Sequence, residues 1–456
     1  MEHIVSEIVG TFIKNIVETL SAGVSLEDIE EPVYRQVKVC ACSIVSAFIE
    51  TVNEAIIADK AARHEAGYII ERHNDERRMH CLFGELTFSR TFFKKAAGGY
   101  EYLADTAFGI EPRSRLSTGT SLALVKTAKE VSYGKAAKYV TSGAISRQTV
   151  MGRVRRCCAV EDTTQGRRRV VELHIDADED HVTLIGGVNT EVPLISVYEG
   201  IGARGKRTFC NNIFHISEYG KTPDELWEQA LTEIERRYDL TDTKIYLHGD
   251  GANWVQKGLE WIPNAIFVLD KYHKNKAIKV MTAGLDKERR KQFNTAIREA
   301  LSSEDIQFYR GIVRSLCDEM PERADKIWES AVYLANFVKG ISICDKDPCA
   351  NNGGCTEPHV SHILSARLSS RPMAWSKQTL KQLAPILAAN QIAFQRTPLE
   401  ESALPKPLIR TAAQANKKFK RKILKCSTGF PHPDAIGKLP ISGKRTGTQV
   451  LLKLYS

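Results

Sequence analysis

Asp176, Asp178 and Asp180 alternate with other residues in HIDADEDHV, residues 174–182. Alternate side chains of an extended strand share one face, so the three carboxylates point one way while Val171, Leu173 and Ile175 occupy the other and can pack against helices. Carboxylates gathered at the end of an apolar strand repel one another unless a cation neutralises them, and an all-oxygen ligand set suits Mg2+ or Mn2+. The same spacing fits the opening of a calcium loop. That loop needs Gly at its sixth position and Glu at its twelfth, where His181 and Gly187 stand, so it is not expected. A further acid, Asp250, lies between Gly249 and Gly251 after the apolar run IYLH, which lets the chain turn sharply and leaves Asp250 at the carboxyl edge of a sheet.

The elements that must position these acids follow from periodicity. From residue 168, RVVELHIDADEDHVTLIGG, VPLISVYEGIG and KRTFCNNIFHISE read as strands. An amphipathic helix follows in TPDELWEQALTEIERRYDL, with Thr222 as its cap and Pro223 in its first turn. KIYLHGDG and AIFVLD are two more strands, joined by a short helix in WVQKGLEWI. Three strands, helix, strand, helix, strand imply a mixed sheet with helical cover. Residues 277–343 read as helix throughout, and helix resumes after Pro358.

Before this core, residues 1–80 read as mainly helical, and CLFGELTFSRTFFKK as a short strand pair. SYGKAAKYVTSGAISRQTVMGRVRR fits a helix-turn-helix: a first helix over 135–140, a turn at Ser142 and Gly143, and a second helix opened by Ser146 that presents Arg147, Gln148 and Arg153 to DNA. GIGARGKR has the glycine spacing of a dinucleotide loop and the start of a P-loop, but both need a helix next, and RTFCNNIFHI reads as a strand. A hairpin is expected there instead.

The formal charge of +9 is uneven. From Glu401 onward twelve Lys or Arg face two acids, and KKFKRKILK places Lys417, Lys418, Lys420, Arg421 and Lys422 where they can neutralise phosphates. Eleven cysteines without a signal peptide suit reduced thiols in the cell interior, and no run of about 18 apolar residues suggests a membrane span. Cys344, Cys349, Cys355, His359 and His362 lack paired-cysteine spacing, so a structural zinc is not expected.

The runs HIDADEDHV, VYEG, HGDGANWVQKGLEWIPNAIFVLDKYHKNK and EPHVSHILSARLSSRPMAWSK resemble the transposases of ISLre-type bacterial insertion sequences, of the DDE class related to the Mutator type, over roughly residues 80–400. The resemblance implies an RNase H-like core with one aspartate on its first strand, a second after its fourth, and a glutamate beyond the fifth strand and a helical insertion. Asp176, Asp250 and Glu357 match these positions as catalytic residues and ligands of two Mg2+ or Mn2+ ions, with Pro358 setting Glu357 at a helix cap. His273 matches a histidine of Mutator-like relatives, and Asp178, Lys271, Arg367 and Arg371 are accessory candidates.

The expected architecture is α/β: an N-terminal helical region with a strand pair over 1–105, a helix-turn-helix region over 106–165, an RNase H-like mixed-sheet core over 166–400 with a helical insertion at about 277–343, and a basic tail over 401–456. The expected function is DNA transposition by metal-dependent strand cleavage and strand transfer. Double-stranded DNA, as element ends and target, is the partner; a homo-oligomer on DNA, no membrane and a bacterial cytoplasmic, nucleoid-associated location go with it. The alternatives are a non-catalytic DNA-binding regulator or decayed transposase, and a metal-dependent nuclease.

Overall fold

The computed structural model describes residues 2–22, 25–160, 166–351, 353–394 and 404–428, and it is a mixed α/β structure. Its residues divide into two compact units, one of 1–120 with 396–456 and one of 121–395.

In the first unit, helices α1 (Glu2–Ala22) and α2 (Leu26–Ala58) precede an antiparallel hairpin of β1 (Tyr68–Cys81) and β2 (Gly84–Lys95). Ser25 and Asp28 form a reciprocal capping box that starts α2. By length and composition α2 is apolar enough to cross a bilayer, which the sequence reading did not anticipate. Part of that apolarity has a local use: Ile49 packs with Met79, Leu86 and Phe88, and Val52 and Ile56 with Tyr68 and Phe93.

The basic segment expected as a tail contributes a helix, Lys406–Thr428, to this unit. Leu408, Thr411, Ala415 and Phe419 recur at helical spacing and are buried, with the Phe419 ring 4.9 Å from Phe48 and Thr411 donating to Asp59 at 2.6 Å. Lys417, Lys418, Lys420 and Arg421 remain exposed, whereas the side chain of Lys422 and residues 429–456 lie outside the described set. Leu408→Ala should therefore cost about 2–5 kcal/mol in urea denaturation. A loss below about 0.5 kcal/mol would mean that the helix does not share the core.

Early in the second unit, after a helix at Thr118–Glu130, come α3 (Tyr133–Thr141) and α4 (Arg147–Val154), capped by Ser132 and Ser146 and joined through Ser142 and Gly143, both at positive φ. Its sheet contains β3 (Glu172–Thr183), β4 (Asn189–Tyr198), β5 (Phe214–Ile216), β6 (Lys244–Gly249) and β7 (Ala265–Leu269), in the order β5-β4-β3-β6-β7. The first three pair antiparallel; β6 runs parallel to both β3 and β7. GIGARGKR is a hairpin, with 201–204 paired to 207–210.

Helices α5 (Pro223–Arg237) and α6 (Asn253–Trp261) cover one face, where Leu226, Trp227, Ile234 and Val255 meet Leu173, Ile175, Ala177 and Leu247. After β7 come α7 (Lys271–Met281), α8 (Lys287–Ser302), α9 (Ile306–Glu319), α10 (Ala324–Asn336) and α11 (Val338–Lys346), which enclose their own core of Met281, Ile297, Tyr309, Leu316 and Leu334. A helical run then begins with α12 (Thr356–Val360), loosens into a π-helical turn at Ser361–Ser365 and closes at Ala366–Leu368. The last long helix of the unit is α13 (Lys377–Ala388).

Candidate active site

Strand register decides which acids meet. Asp176 of β3 lies opposite His248 of β6 and Ser196 of β4. Gly249 follows beside Ala177, whose carbonyl oxygen would stand 2.9 Å from an added Cβ. The chain therefore delivers Asp250 at the level of Asp178, two residues beyond Asp176.

Each alternating aspartate has its own surroundings. Asp176 is buried and fully engaged: both carboxylate oxygens accept from the Tyr198 hydroxyl at 3.0 and 3.1 Å, one accepts from the Cys355 amide at 2.9 Å, and His359 Nδ1 stands 3.2 Å away. Burial pushes its carboxyl up, but the bonds from His359 and Tyr198 outweigh burial and hold it below the usual range. Asp180 accepts from Ser365 at 2.9 Å and Ser369 at 2.7 Å through one oxygen, while its buried Oδ2 has no partner. Among the described residues Asp178 accepts only the Glu179 amide, at 2.9 Å. Burial, then the charges of Glu179, Asp250 and Glu357, push its carboxyl up to about 7.

Asp178 thus feels both Asp250 and Glu357, whereas Glu179 feels Asp250 and Asp180 feels Glu357. Glu357 is exposed and lies one residue inside α12, whose cap is Cys355, so the expected capping position is not adopted. Pro358 is tolerated because the first-turn amides of a helix have no internal acceptor to lose. Asp270 caps α7 and receives the Thr356 hydroxyl, which ties the start of α12 to the end of β7. Among the described residues no three acid, His or Cys side chains surround a single point closely enough to hold a metal ion.

The helical insertion positions Asp250. Its carbonyl accepts from Tyr333 at 2.7 Å, its Oδ1 accepts the Ala252 amide at 2.8 Å, and Gly251 at φ +86° faces the Phe337 ring, which a Cβ would approach to 2.2 Å. Gly251→Ala should cost about 2–6 kcal/mol through strain and overpacking together. A variant as resistant to urea as the parent would show that the turn relaxes freely.

A family model for UPF0236, described as an uncharacterised protein family, matches residues 19–400. The chain belongs to UPF0236. A UPF0236 protein of Caldanaerobacter subterraneus subsp. tengcongensis is 34% identical over 345 residues, covering 75% of this chain and 73% of its own. Another from that organism, whose name joins eleven locus designations, is also 34% identical over 345 residues, covering 75% of this chain and 72% of its own. A third, the UPF0236 protein in the vanSb 3′ region of Streptococcus gallolyticus, is 22% identical over 398 residues, covering 84% of this chain and 86% of its own.

The basic candidates of this UPF0236 chain are placed very differently. Arg147 and Gln148 are exposed at the start of α4, and Arg153 is half-buried. Arg371 is exposed, whereas Arg367 is buried, donates to the Ala128 carbonyl at 2.8 Å and lies over the Trp375 ring. That side chain holds the fold and is not presented to a phosphate. Lys271 donates to the Asn351 carbonyl at 3.2 Å, and His273 keeps a buried Nδ1 without a partner.

Of the cysteines and histidines considered for zinc, Cys344 and Cys349 pack beside Tyr246 and Val268, and His362 is exposed. Cys355 hydrogen-bonds Cys210, whose sulfur lies 3.6 Å from His359 Nε2. Sequence reasoning missed Tyr198, Cys355 and His359 as partners of Asp176. The period-two pattern of SVYEG gave a signal for Tyr198 on the acid face, but no local pattern pairs residue 176 with residues 355 and 359.

Proposed function

We propose that this UPF0236 chain is a DDE-type DNA transposase of the ISLre kind, with an RNase H-like core and a helix-turn-helix formed by α3 and α4. The observation that carries the reading is the strand register that sets Asp250, just past the end of β6, level with Asp178 of β3, whose carboxyl the charges of Asp250 and Glu357 help to push up. The sheet order supports it, with three antiparallel strands continued by two parallel ones and a helical insertion before the third acid. The resemblance set the first acid at Asp176; register and charge favour Asp178, with Asp176 as a buried support.

An Asp178 carboxyl pushed up by burial and by the charges of Asp250 and Glu357 suits a divalent cation, and the oxygen-only chemistry of the three acids fits Mg2+ or Mn2+. Asp178, Asp250 and Glu357 are the residues that would hold it, and they would have to draw together to do so, since they do not surround a single point in this arrangement. Such ions supply an activated oxygen nucleophile and stabilise the leaving oxygen in an in-line displacement at phosphorus. The protein's own part is positioning: β3 fixes Asp178, the Gly249–Gly251 turn and Tyr333 fix Asp250, and the Asp270–Thr356 bond sets the start of the helix that bears Glu357. Asp176 holds the Cys355 amide just ahead of that helix, which transmits sheet position to Glu357.

Copy number in a relative points the same way. A protein name that joins eleven loci of one organism is what a sequence multiplying within a genome produces. The exposed Arg147 and Gln148 at the start of α4 supply base readout, and the cations at 417–421 supply phosphate affinity. Changing Arg147 and Gln148 together to Ala should lower the preference for element ends over random DNA by roughly 5- to 150-fold, with little change in non-specific affinity. A preference that survives would move recognition elsewhere.

The decisive assay incubates the chain with Mg2+ and a duplex drawn from the DNA flanking its gene. Nicks that leave a 3′-hydroxyl, followed by joined products, are expected. Nicking without joining would make the protein a nuclease; a gel shift with neither would make it a binding protein.

A further inference from the structure

A cavity of about 490 Å3, lined by Glu179 of β3 and by Trp254 at the start of α6, has no part in the chemistry above. Its volume falls in the roughly 300–1,000 Å3 range of small-molecule sites. Trp254, four residues after Asp250, and Tyr219 contribute its aromatic walls, and Lys221, Lys377 and Lys381 its cations.

The aromatic walls are anchored. Trp254 donates its indole N–H to Glu179 at 2.7 Å and accepts the buried Trp227 indole on its backbone carbonyl at 2.7 Å; the Tyr219 hydroxyl meets Thr190 at 3.3 Å. Glu179 adjoins Asp178 in β3 and feels the charge of Asp250, so the Trp254 wall is tied to the acid edge of the sheet. Gly220, at φ +82°, leaves room for the Lys381 stem, which would stand 3.0 Å from an added Cβ. Lys377 and Lys381 form no ion pair among the described residues, while Lys221 donates to Gln229 at 2.6 Å and Glu179 and Glu191 share the lining, so the charge offered to a ligand is that of Lys377 and Lys381.

Fixed aromatic rings with free cations around a slot of this size are the means by which proteins hold an unpaired nucleotide: the base stacks, and the phosphates meet lysine. We propose that the cavity takes one unpaired nucleotide of the DNA substrate, its base against Trp254 and Tyr219 and its phosphates toward Lys377 and Lys381. This deepens the transposase reading and rests on it for the identity of the nucleic acid. Extruding a base costs a few kcal/mol, least where pairing is already broken, so a duplex with an unpaired nucleotide near the cut should bind best.

The test uses the full chain with three duplexes of equal length: fully paired, carrying one unpaired nucleotide, and carrying an abasic residue at that place. The unpaired duplex should bind roughly 5- to 150-fold more tightly than the abasic one, the range covered by base–aromatic stacking. Trp254→Ala should abolish that ratio, Trp254→Phe should keep most of it, and Lys381→Glu, at an exposed position, should weaken binding of the unpaired duplex. Asp250→Asn should leave the ratio intact, which separates this proposal from the catalytic one. A parent chain that cleaves DNA yet binds the unpaired and abasic duplexes equally overturns the cavity assignment alone. Competition by free nucleoside monophosphate without any preference for the unpaired duplex overturns it in favour of a mononucleotide site.

Discussion

With Mg2+ present, Asp178→Asn and Asp250→Asn should each lose more than about a hundredfold of end cleavage while still shifting the same duplex in a gel, and Asp176→Asn should keep measurable cleavage wherever it is folded. Outer-shell partners of metal sites are commonly worth about 10- to 100-fold, so a direct ligand should exceed that range. Asp176 is already engaged by Tyr198, Cys355 and His359, which leaves it little capacity to bind a cation as well. Asp178 has one amide partner and two acidic neighbours across the strand ends. Binding persists because phosphate affinity resides in basic side chains elsewhere. The reverse ranking, with Asp176→Asn folded but inactive and Asp178→Asn active, would return the first position to Asp176.

The same two substitutions should move stability in opposite directions when divalent ions are chelated. For Asp178, pushed up to about 7, the native state retains a proton that the unfolded chain releases near pH 4. Its contribution to stability therefore falls as pH rises from about 4 to about 7 and stays unfavourable above that. Asp178→Asn should stabilise the chain by on the order of 2–4 kcal/mol at pH 8 and by little at pH 4.

Asp176 has the other sign. Held below the usual carboxylate range, it stabilises the fold above the unfolded value, and that contribution is lost as pH falls through its folded value. Asp176→Asn leaves an amide group facing the donors that the carboxylate satisfied and should cost about 2–5 kcal/mol at neutral pH. Urea denaturation in EDTA at both pH values reads both signs, and added Mg2+ should raise the parent but not Asp178→Asn. A destabilised Asp178→Asn at pH 8 would show that the acids do not repel.

What sequence could reveal was set by distance along the chain. The alternation in HIDADEDHV, the glycines around Asp250 and the Thr222 cap are local, and each stands in the structure where its pattern indicates. The choice between Asp176 and Asp178 depends on which β3 residue lies level with the end of β6, and a period of two places both on the same face. The basic run at 417–425 reads as a solvated tail because charge dominates its composition. Its buried stripe of Leu408, Ala415 and Phe419 begins earlier and is interleaved with Lys406, Arg410, Lys417 and Lys418, whose charge masks the helical spacing. For Glu357, the steric rule for a residue before proline weighed against helix, yet Glu357 is helical, in a first turn where the proline's missing N–H costs no internal bond.

The first unit is written in two pieces, with residues 404–421 translated after the whole of 121–395. At about 5–20 residues per second, a ribosome spends tens of seconds between them. During that interval Val52, Ile56 and Phe93 lack the partners that Leu404 and Leu408 later supply, while the second unit is already complete on the nascent chain. Synthesis order thus makes the N-terminal unit the last to mature. A stop codon near residue 400 would release a chain with every proposed catalytic acid in place and an unfinished apolar face, open to chaperones, proteases or aggregation.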